Sequence, residues 1–444
     1  MKRGEPIQII GAGLAGSLLA VFLAQRGFTV TVFDKRPDPR QSAPERGRSI
    51  NLALASRGIR ALERAGVMDR VRPLLIPMRG RMVHEPSGAT ALIPYGQRPE
   101  EIIYSVGRAA LNRLLVETAA THPGIIFRFG ETCTGVDLES NTLLFRNSSD
   151  AEYTIPLGIT LAADGAGSAI RIGLARQGHV EVSEEMLEHD YKELSIPARN
   201  GTHQLDPNAL HIWPRGGFML IALPNTDGTF TATLFLSRSG FSQLRTTEAV
   251  HHFFAREFPD ALQLMPDLHE EFRKNPQSQL GTVHAQPWHA GERILLLGDA
   301  AHAIVPFHGQ GMNAAFEDCV VLDELLDRYE HWPELFAEFE RQRRVNTEAI
   351  AQMALENYVE MRDTVLDAKF RRQKALSLEL ERRFPDRFIP RYSMVMFHPE
   401  IPYAEALRRG QIQSEILDEL DTPDGSPDFA RAEALIHERL PPVR

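Results

Sequence analysis

Three stretches carry residues whose types and spacing could do chemistry. The first is Gly11-Ala-Gly13-Leu-Ala-Gly16, directly after the apolar run IQII, with Asp34 closing a second apolar run, TVTVF. Bare backbone, a helix start and a carboxylate in that order make a dinucleotide site. Gly11 permits the tight turn, Gly13 lets a pyrophosphate approach the helix N-terminus, Gly16 lets helix and strand pack closely, and Asp34 accepts hydrogen bonds from a ribose. The acid disfavours a ribose 2′-phosphate, although Lys35 and Arg36 beside it keep the point open. The second stretch is GDAAHAIVPFHGQGMNAAFED, residues 298–318, between a strand-like RILLL and a helix-like continuation. Its backbone N–H groups and the positive end of a helix dipole suit an electron-rich ring that becomes anionic. The third is DGAGSAIR, with Asp164, Gly165, Ser168 and Arg171 after a strand-like run.

The elements that must position these residues follow from periodicity. A strand over Ile7–Ile10, a helix to Gln25 and a strand over Thr29–Phe33 complete a βαβ unit around the first motif. From residue 203 the period changes to two: ALHIW, FMLIAL and TFTATLFL, separated by PRGG and PNTDG, make an antiparallel meander and a second domain. In its last strand Thr229, Thr231 and Thr233 share a face with Phe235, either as a rim tucked under a loop or as a wall facing a ligand. After RILLLGDAAH the chain turns helical, with charged stretches such as RRQKALSLELERR expected to be solvated faces. On the helix IAQMALENYVEMRD, Met353, Asn357 and Met361 recur every four residues, an ordinary core stripe in which a buried Asn357 needs a polar partner.

Bulk properties narrow the partners. With 49 Lys plus Arg against 59 Asp plus Glu in 444 residues, the formal charge is −10, which argues against nucleic acid or an anionic membrane surface. Only two cysteines are present, outside any CxxC pattern, so no disulfide framework or dithiol centre is expected, and a reducing cytoplasm fits. No window is apolar enough for a membrane span, no secretory signal pattern stands at the start, and His302 and Asp299 sit too sparsely among ligands to form a metal site.

Together, GxGxxG, DGAGSAIR and the GD element resemble the three-motif signature of the flavoprotein aromatic hydroxylases. RGRSINLALASRG, MRGRMVHE, SVGRAALNRLL, YKEL, ALHIWPRG, PFHGQGMNAAFED, ALENYVEM and FIPRYSMVMF resemble, within them, the kynurenine 3-monooxygenase family along nearly the whole chain. The resemblance implies tightly bound FAD, NADPH as a transient co-substrate, dioxygen, and hydroxylation of L-kynurenine to 3-hydroxykynurenine through a C4a-hydroperoxyflavin in tryptophan catabolism. It assigns Asp164 and Asp299 to FAD, with Asp299 at the ribityl chain, Gly311, Met312 and Asn313 to the isoalloxazine, and Arg108 to the flavin. Substrate contacts fall to Arg81 and Tyr95 at the carboxylate, and to Asn357 and Tyr392, with Met361 and Phe235 beside them. A planar Arg fork is the natural partner for a carboxylate in an apolar pocket. Because the arylamine already donates electrons to the reacting carbon, no catalytic base is nominated; Pro306, Phe307 and His308 line the flavin loop.

The expected fold class is α/β: a doubly wound, Rossmann-type FAD domain (1–75, 98–180 and 282–330), an antiparallel-sheet substrate domain (76–97 and 181–281) and a helical C-terminal segment (331–444) closing the site. The C-terminal apolar membrane segment of eukaryotic relatives is missing from this sequence, so a soluble enzyme of bacterial type is expected. Three other readings are open. Another acidic aromatic substrate would keep every flavin motif. An NAD-dependent dehydrogenase or dinucleotide-binding regulator would leave two motifs unexplained. A flavin halogenase would show a tryptophan-rich motif, whereas Trp213, Trp288 and Trp332 stand singly.

Overall fold

The computed structural model describes residues 4–41, 51–422 and 427–443. Residues 46–50 of the quoted RGRSINLALASRG lie outside them. The chain divides into two compact units, one of Met1–Leu75, Val106–Leu187 and Leu280–Ala351, the other of Ile76–Ser105, Glu188–Gln279 and Gln352–Arg444.

The first unit is built on a six-stranded sheet in the order His289–Ala290, Ile294–Leu296, Ile159–Ala162, Pro6–Ile10, Thr29–Asp34, Ile125–Phe129. All neighbours are parallel except the short His289–Ala290 edge. Strands covered on both faces need mostly apolar or β-branched residues, which is what PIQII, TVTVFD and ITLA supply. The helix Leu14–Gln25 is apolar all round and buried from Gly16 to Leu23, as a helix packed on several sides must be. Pro6–Ile10 sends the chain to Thr29–Asp34 on one side, and Ile159–Ala162 joins it later on the other. The sheet therefore reverses direction beside the first strand, where doubly wound folds bind ligands.

A seven-stranded sheet, most of whose strands belong to the second unit, runs in the order Gln277–Gln286, Glu181–Ile196, Phe230–Ser237, Met219–Pro224, Leu210–Pro214, Gly80–His84, Thr90–Pro94. The expected meander is present as three antiparallel strands. Three features differ from the expectation. Gly80–His84 pairs in parallel with Leu210–Pro214, because the long intervening chain supplies the crossover a parallel pair requires. The strand holding Phe235 is central rather than a rim, lying between Glu181–Ile196 and Met219–Pro224. Its Phe230, Ala232, Leu234 and Leu236 enter one core with Phe254, Phe258 and Phe272 of the helices that follow, while Thr231, Thr233 and Phe235 take the other face. The helix Ala368–Arg383 is not the wholly solvated element expected from its charges: Ser377, Leu380 and Glu381 are buried on one stripe. Among the described residues no helix is long and apolar enough to cross a membrane.

Candidate active site

All three motifs of the first unit stand at the C-terminal ends of adjacent parallel strands. Ile10 pairs with Ala162 and Ala162 with Leu296, so Gly11, Ala163-Asp164 and Gly298-Asp299 leave the sheet side by side. Gly16 has no room for a side chain, since an added Cβ would lie 1.9 Å from the Gly11 carbonyl oxygen. Gly13 is the opposite case, with nothing within 4 Å of its Cβ direction, so the helix N-terminus there is open to a ligand. Asp34 is buried; its Oδ2 accepts the Ala12 N–H at 2.7 Å and Arg36 Nη2 at 2.8 Å, and its Oδ1 accepts Arg36 Nε at 2.9 Å. Burial works against its ionisation, yet Arg36 holds the carboxyl below its usual range.

The second motif is scaffold and ligand at once. Ser168 caps the helix Ala169–Arg176 by accepting the Arg171 N–H at 3.0 Å, and the buried Arg171 guanidinium donates to the Ala300 carbonyl at 2.9 Å. Asp164 Oδ2 accepts the Ala169 N–H at 2.8 Å, while its Oδ1 is buried with no partner among the described residues. Burial pushes this carboxyl up, and a ligand hydroxyl or amide would relieve it.

In the third motif Asp299 is half-buried, and its side chain makes no hydrogen bond or ion pair with any described residue. The helix Gly311–Leu325 makes its first backbone bond at the Ala314 N–H, which leaves the N–H groups of Gly311, Met312 and Asn313 outside the helical ladder. The Asn313 side chain is committed: Oδ1 accepts the Ala55 N–H at 2.9 Å and Nδ2 donates to the Ala53 and Gly309 carbonyls, both at 2.8 Å. Any ligand contact at Asn313 therefore falls to its backbone. Pro306–His308 form a single 3₁₀ turn in which Phe307 and His308 are buried and Pro306 is exposed. Arg108 is exposed at the start of the helix Arg108–Ala119.

A separate constellation forms in the second unit. Arg81 is buried; its Nη1 donates to Glu360 Oε1 at 2.9 Å and its Nη2 to Asn357 Oδ1 at 3.1 Å. Tyr95 and Tyr392 are stacked at 5.4 Å, and the Arg81 guanidinium lies 5.2 Å from the Tyr392 ring centre and 5.9 Å from that of Tyr95. Burial pushes both phenols up, with Arg81 pulling back. Asn357 Nδ2 approaches Met361 Sδ at 3.4 Å, so the stripe read from the sequence does meet Arg81. Phe235 is buried against Tyr191, with ring centres 6.2 Å apart. The strand bearing Arg81 is anchored at its far end, where His84 Nδ1 meets Asp260 Oδ2 at 3.0 Å and His84 Nε2 meets His211 Nδ1 at 2.9 Å. Two members were missed by sequence reasoning. Glu360 lies three residues after Asn357 on the same helical stripe, a signal that was available. Lys374, whose ammonium is 5.9 Å from the Tyr392 ring, was hidden in a run read as solvated; burial pulls its pKa down.

The family model described as FAD binding domain matches residues 5–354. A kynurenine 3-monooxygenase of Xanthomonas campestris pv. campestris (strain 8004) is 47% identical over 98% of this chain and 97% of its own length. The chain belongs to the kynurenine 3-monooxygenase family. A Myxococcus xanthus (strain DK1622) kynurenine 3-monooxygenase is 45% identical over 99% of this chain and 96% of that one. Solved structures that share the fold include 2-methyl-3-hydroxypyridine-5-carboxylic acid oxygenase, with a TM-score of 0.67 at 17% identity over 85% of this chain and 96% of that one. The p-nitrophenol 4-monooxygenase of Pseudomonas putida DLL-E4 gives a TM-score of 0.65 at 16% identity over 97% and 99%. For a kynurenine 3-monooxygenase family member the cofactor is FAD, and the first unit fits it. The open space at Gly13, the unpartnered Asp164 Oδ1 and the unladdered N–H groups at Gly311–Asn313 present donors and acceptors for a pyrophosphate, hydroxyls and a ring that gains negative charge.

Proposed function

We propose that this enzyme hydroxylates L-kynurenine at the ring carbon beside the aniline nitrogen, consuming NADPH, a proton and dioxygen and releasing 3-hydroxykynurenine, NADP⁺ and water. FAD supplies the redox and oxygen-transfer chemistry when bound. Gly11, Gly13 and Gly16 give its pyrophosphate room, Asp34 takes the adenosine ribose in competition with Arg36, and Asp299 takes the ribityl hydroxyls. The backbone of Gly311, Met312 and Asn313 faces the ring, with Asp164 and Arg108 as further contacts.

The observation that carries the substrate reading is Arg81: a buried cation beside a stacked pair of tyrosine rings, already held in orientation by Glu360 and Asn357. A free amino acid is a zwitterion, and this group offers it matching charges, the guanidinium for the carboxylate and Glu360 for the ammonium. Stacked Tyr95 and Tyr392 shield the planar guanidinium from water, so the ion pair forms with little reorganisation. Nothing here needs to abstract a proton from the ring, because a neutral arylamine activates the reacting carbon itself. Phe307, buried in the turn before Gly309, excludes water near the ring-binding backbone.

The deciding assay is NADPH oxidation with and without L-kynurenine, with 3-hydroxykynurenine and hydrogen peroxide both quantified. One product molecule per NADPH consumed is expected. NADPH oxidation that yields only peroxide with kynurenine, but product with another acidic aromatic compound, assigns the site to that compound.

A further inference from the structure

Asp318 in the first unit has no part in the reading above, yet it is fully buried on the helix Gly311–Leu325. Its Oδ2 accepts the Gly298 N–H at 2.9 Å and the His302 Nε2–H at 2.7 Å, and its Oδ1 accepts Arg343 Nε at 2.6 Å. Gly298 immediately precedes Asp299 and adopts φ +57°, a conformation that L side chains rarely take. The Gly298 carbonyl accepts the N–H groups of both Ala301 and His302 at 2.9 Å. Both backbone polar groups of this one residue are thus held, and His302 grips it twice, directly through its backbone and indirectly through its ring on Asp318. The imidazole rests against Trp288, with ring centres 5.0 Å apart. It also borders a cavity of about 210 Å³ whose wall includes Thr282, Ala285, Ala301, Thr347 and Ala351.

A buried carboxylate is costly unless donors converge on it, and a packing role alone would be met by an apolar side chain of the same shape. Here burial opposes ionisation of Asp318, but His302 and Arg343 win and hold the carboxyl below its usual range. We propose that His302 and Asp318 are positioning residues for the flavin site, fixing the turn at Gly298 and with it the direction in which Asp299 meets FAD. The inference rests on Asp299 being a cofactor ligand.

The test is FAD affinity, measured by flavin fluorescence during titration of the apo-protein without NADPH or kynurenine, so that a wrong substrate assignment leaves the result untouched. His302→Leu keeps the volume and removes the donor; His302→Gln keeps an amide donor. The Leu variant should bind FAD about 10- to 100-fold more weakly, the size of one lost charge-assisted hydrogen bond, and the Gln variant within about threefold of the parent. A cavity of roughly 150 Å³ admits benzene, so the space beside the ring admits imidazole. Added imidazole should restore affinity to His302→Gly and leave His302→Leu unchanged. Parent-like affinity in the Leu variant, or a Gln variant as weak as Leu, overturns the proposal. If the Leu variant does not fold, the Gly variant decides, and its failure to respond to imidazole is equally fatal. Should Asp299→Ala bind FAD normally while His302→Leu does not, the fault lies in the ligand reading of Asp299 rather than in the positioning pair.

Discussion

Replacing Arg81 by Ala separates substrate recognition from cofactor chemistry. Removal of the guanidinium deprives the kynurenine carboxylate of its cation and leaves Glu360 Oε1 and Asn357 Oδ1 without their donor. Truncating one member of a buried charge pair costs about 2–5 kcal/mol. The Glu360 side chain is 29% exposed, so water compensates part of its loss, and the lower half of that range applies here. About 2–3 kcal/mol corresponds to a fall of roughly 30- to 150-fold in kcat/KM for L-kynurenine. FAD content, read from the flavin absorbance of the purified protein, should be unchanged. Arg81→Lys should recover only part of the loss, because an ammonium cannot reach Glu360, Asn357 and a carboxylate with one planar fork. Steady-state NADPH oxidation with product quantified is the assay. Full kcat/KM in Arg81→Ala with normal flavin loading would refute the reasoning, since the carboxylate would then have to be held elsewhere.

Gly13→Ala should leave the melting temperature of the apo-protein unchanged yet lose bound FAD, because its Cβ points into open space, whereas Gly16→Ala should lower the apo-protein's melting temperature or fail to fold, its Cβ colliding with the Gly11 carbonyl. Flavin-to-protein ratio and thermal melts separate the two, and equal behaviour would remove Gly13 from the cofactor cradle. Asp299→Ala should weaken FAD binding by about 1.5–3 kcal/mol, the usual size of a hydrogen bond to a charged group, as measured by flavin release. Asp260 supplies a pH signature. Burial opposes its ionisation, but bonds from His84 and Trp213 bring its pKa from 3.8 down to about 2. A depressed carboxylate pKa gives stability that is present above the unfolded value and lost as pH falls, so the melting temperature of the parent should drop between pH 4 and 2 more steeply than that of Asp260→Asn. Parallel melting curves for the two proteins would contradict the pairing.

The glycine motifs were legible because their demands are local. A turn, a close approach and a helix start each act over a few residues, so Gly11 through Gly16 and the end of the next strand declare themselves. The meander from Leu210 to Ser237 was equally plain from its period of two. What stayed hidden depends on pairing between distant segments. Nothing near Arg81 announces that its partners are Asn357 and Glu360, or that Gly80–His84 runs parallel to a strand begun at Leu210. The helix Ala368–Arg383 carries so many charges that Lys374 and the buried Glu381 are indistinguishable by composition from their solvated neighbours. Asn313 was visible by its position in the third motif, but the bonds of its amide to the backbone of Ala53, Ala55 and Gly309 were not, since two of those partners lie far away in the chain.

The chain passes from one unit to the other at residues 75/76, 105/106, 187/188, 279/280 and 351/352. This has a consequence for synthesis. During translation the βαβ unit at the N-terminus emerges early, but its sheet lacks Ile294–Leu296, and the N–H of Gly298 lacks the Asp318 that receives it, until most of the chain has left the ribosome. Domains usually fold vectorially as their sequence appears, and here neither unit is contiguous in the sequence. Ribosome-bound nascent chains halted before residue 318 should hold no flavin, and neither unit can be isolated by cutting the gene at a single point.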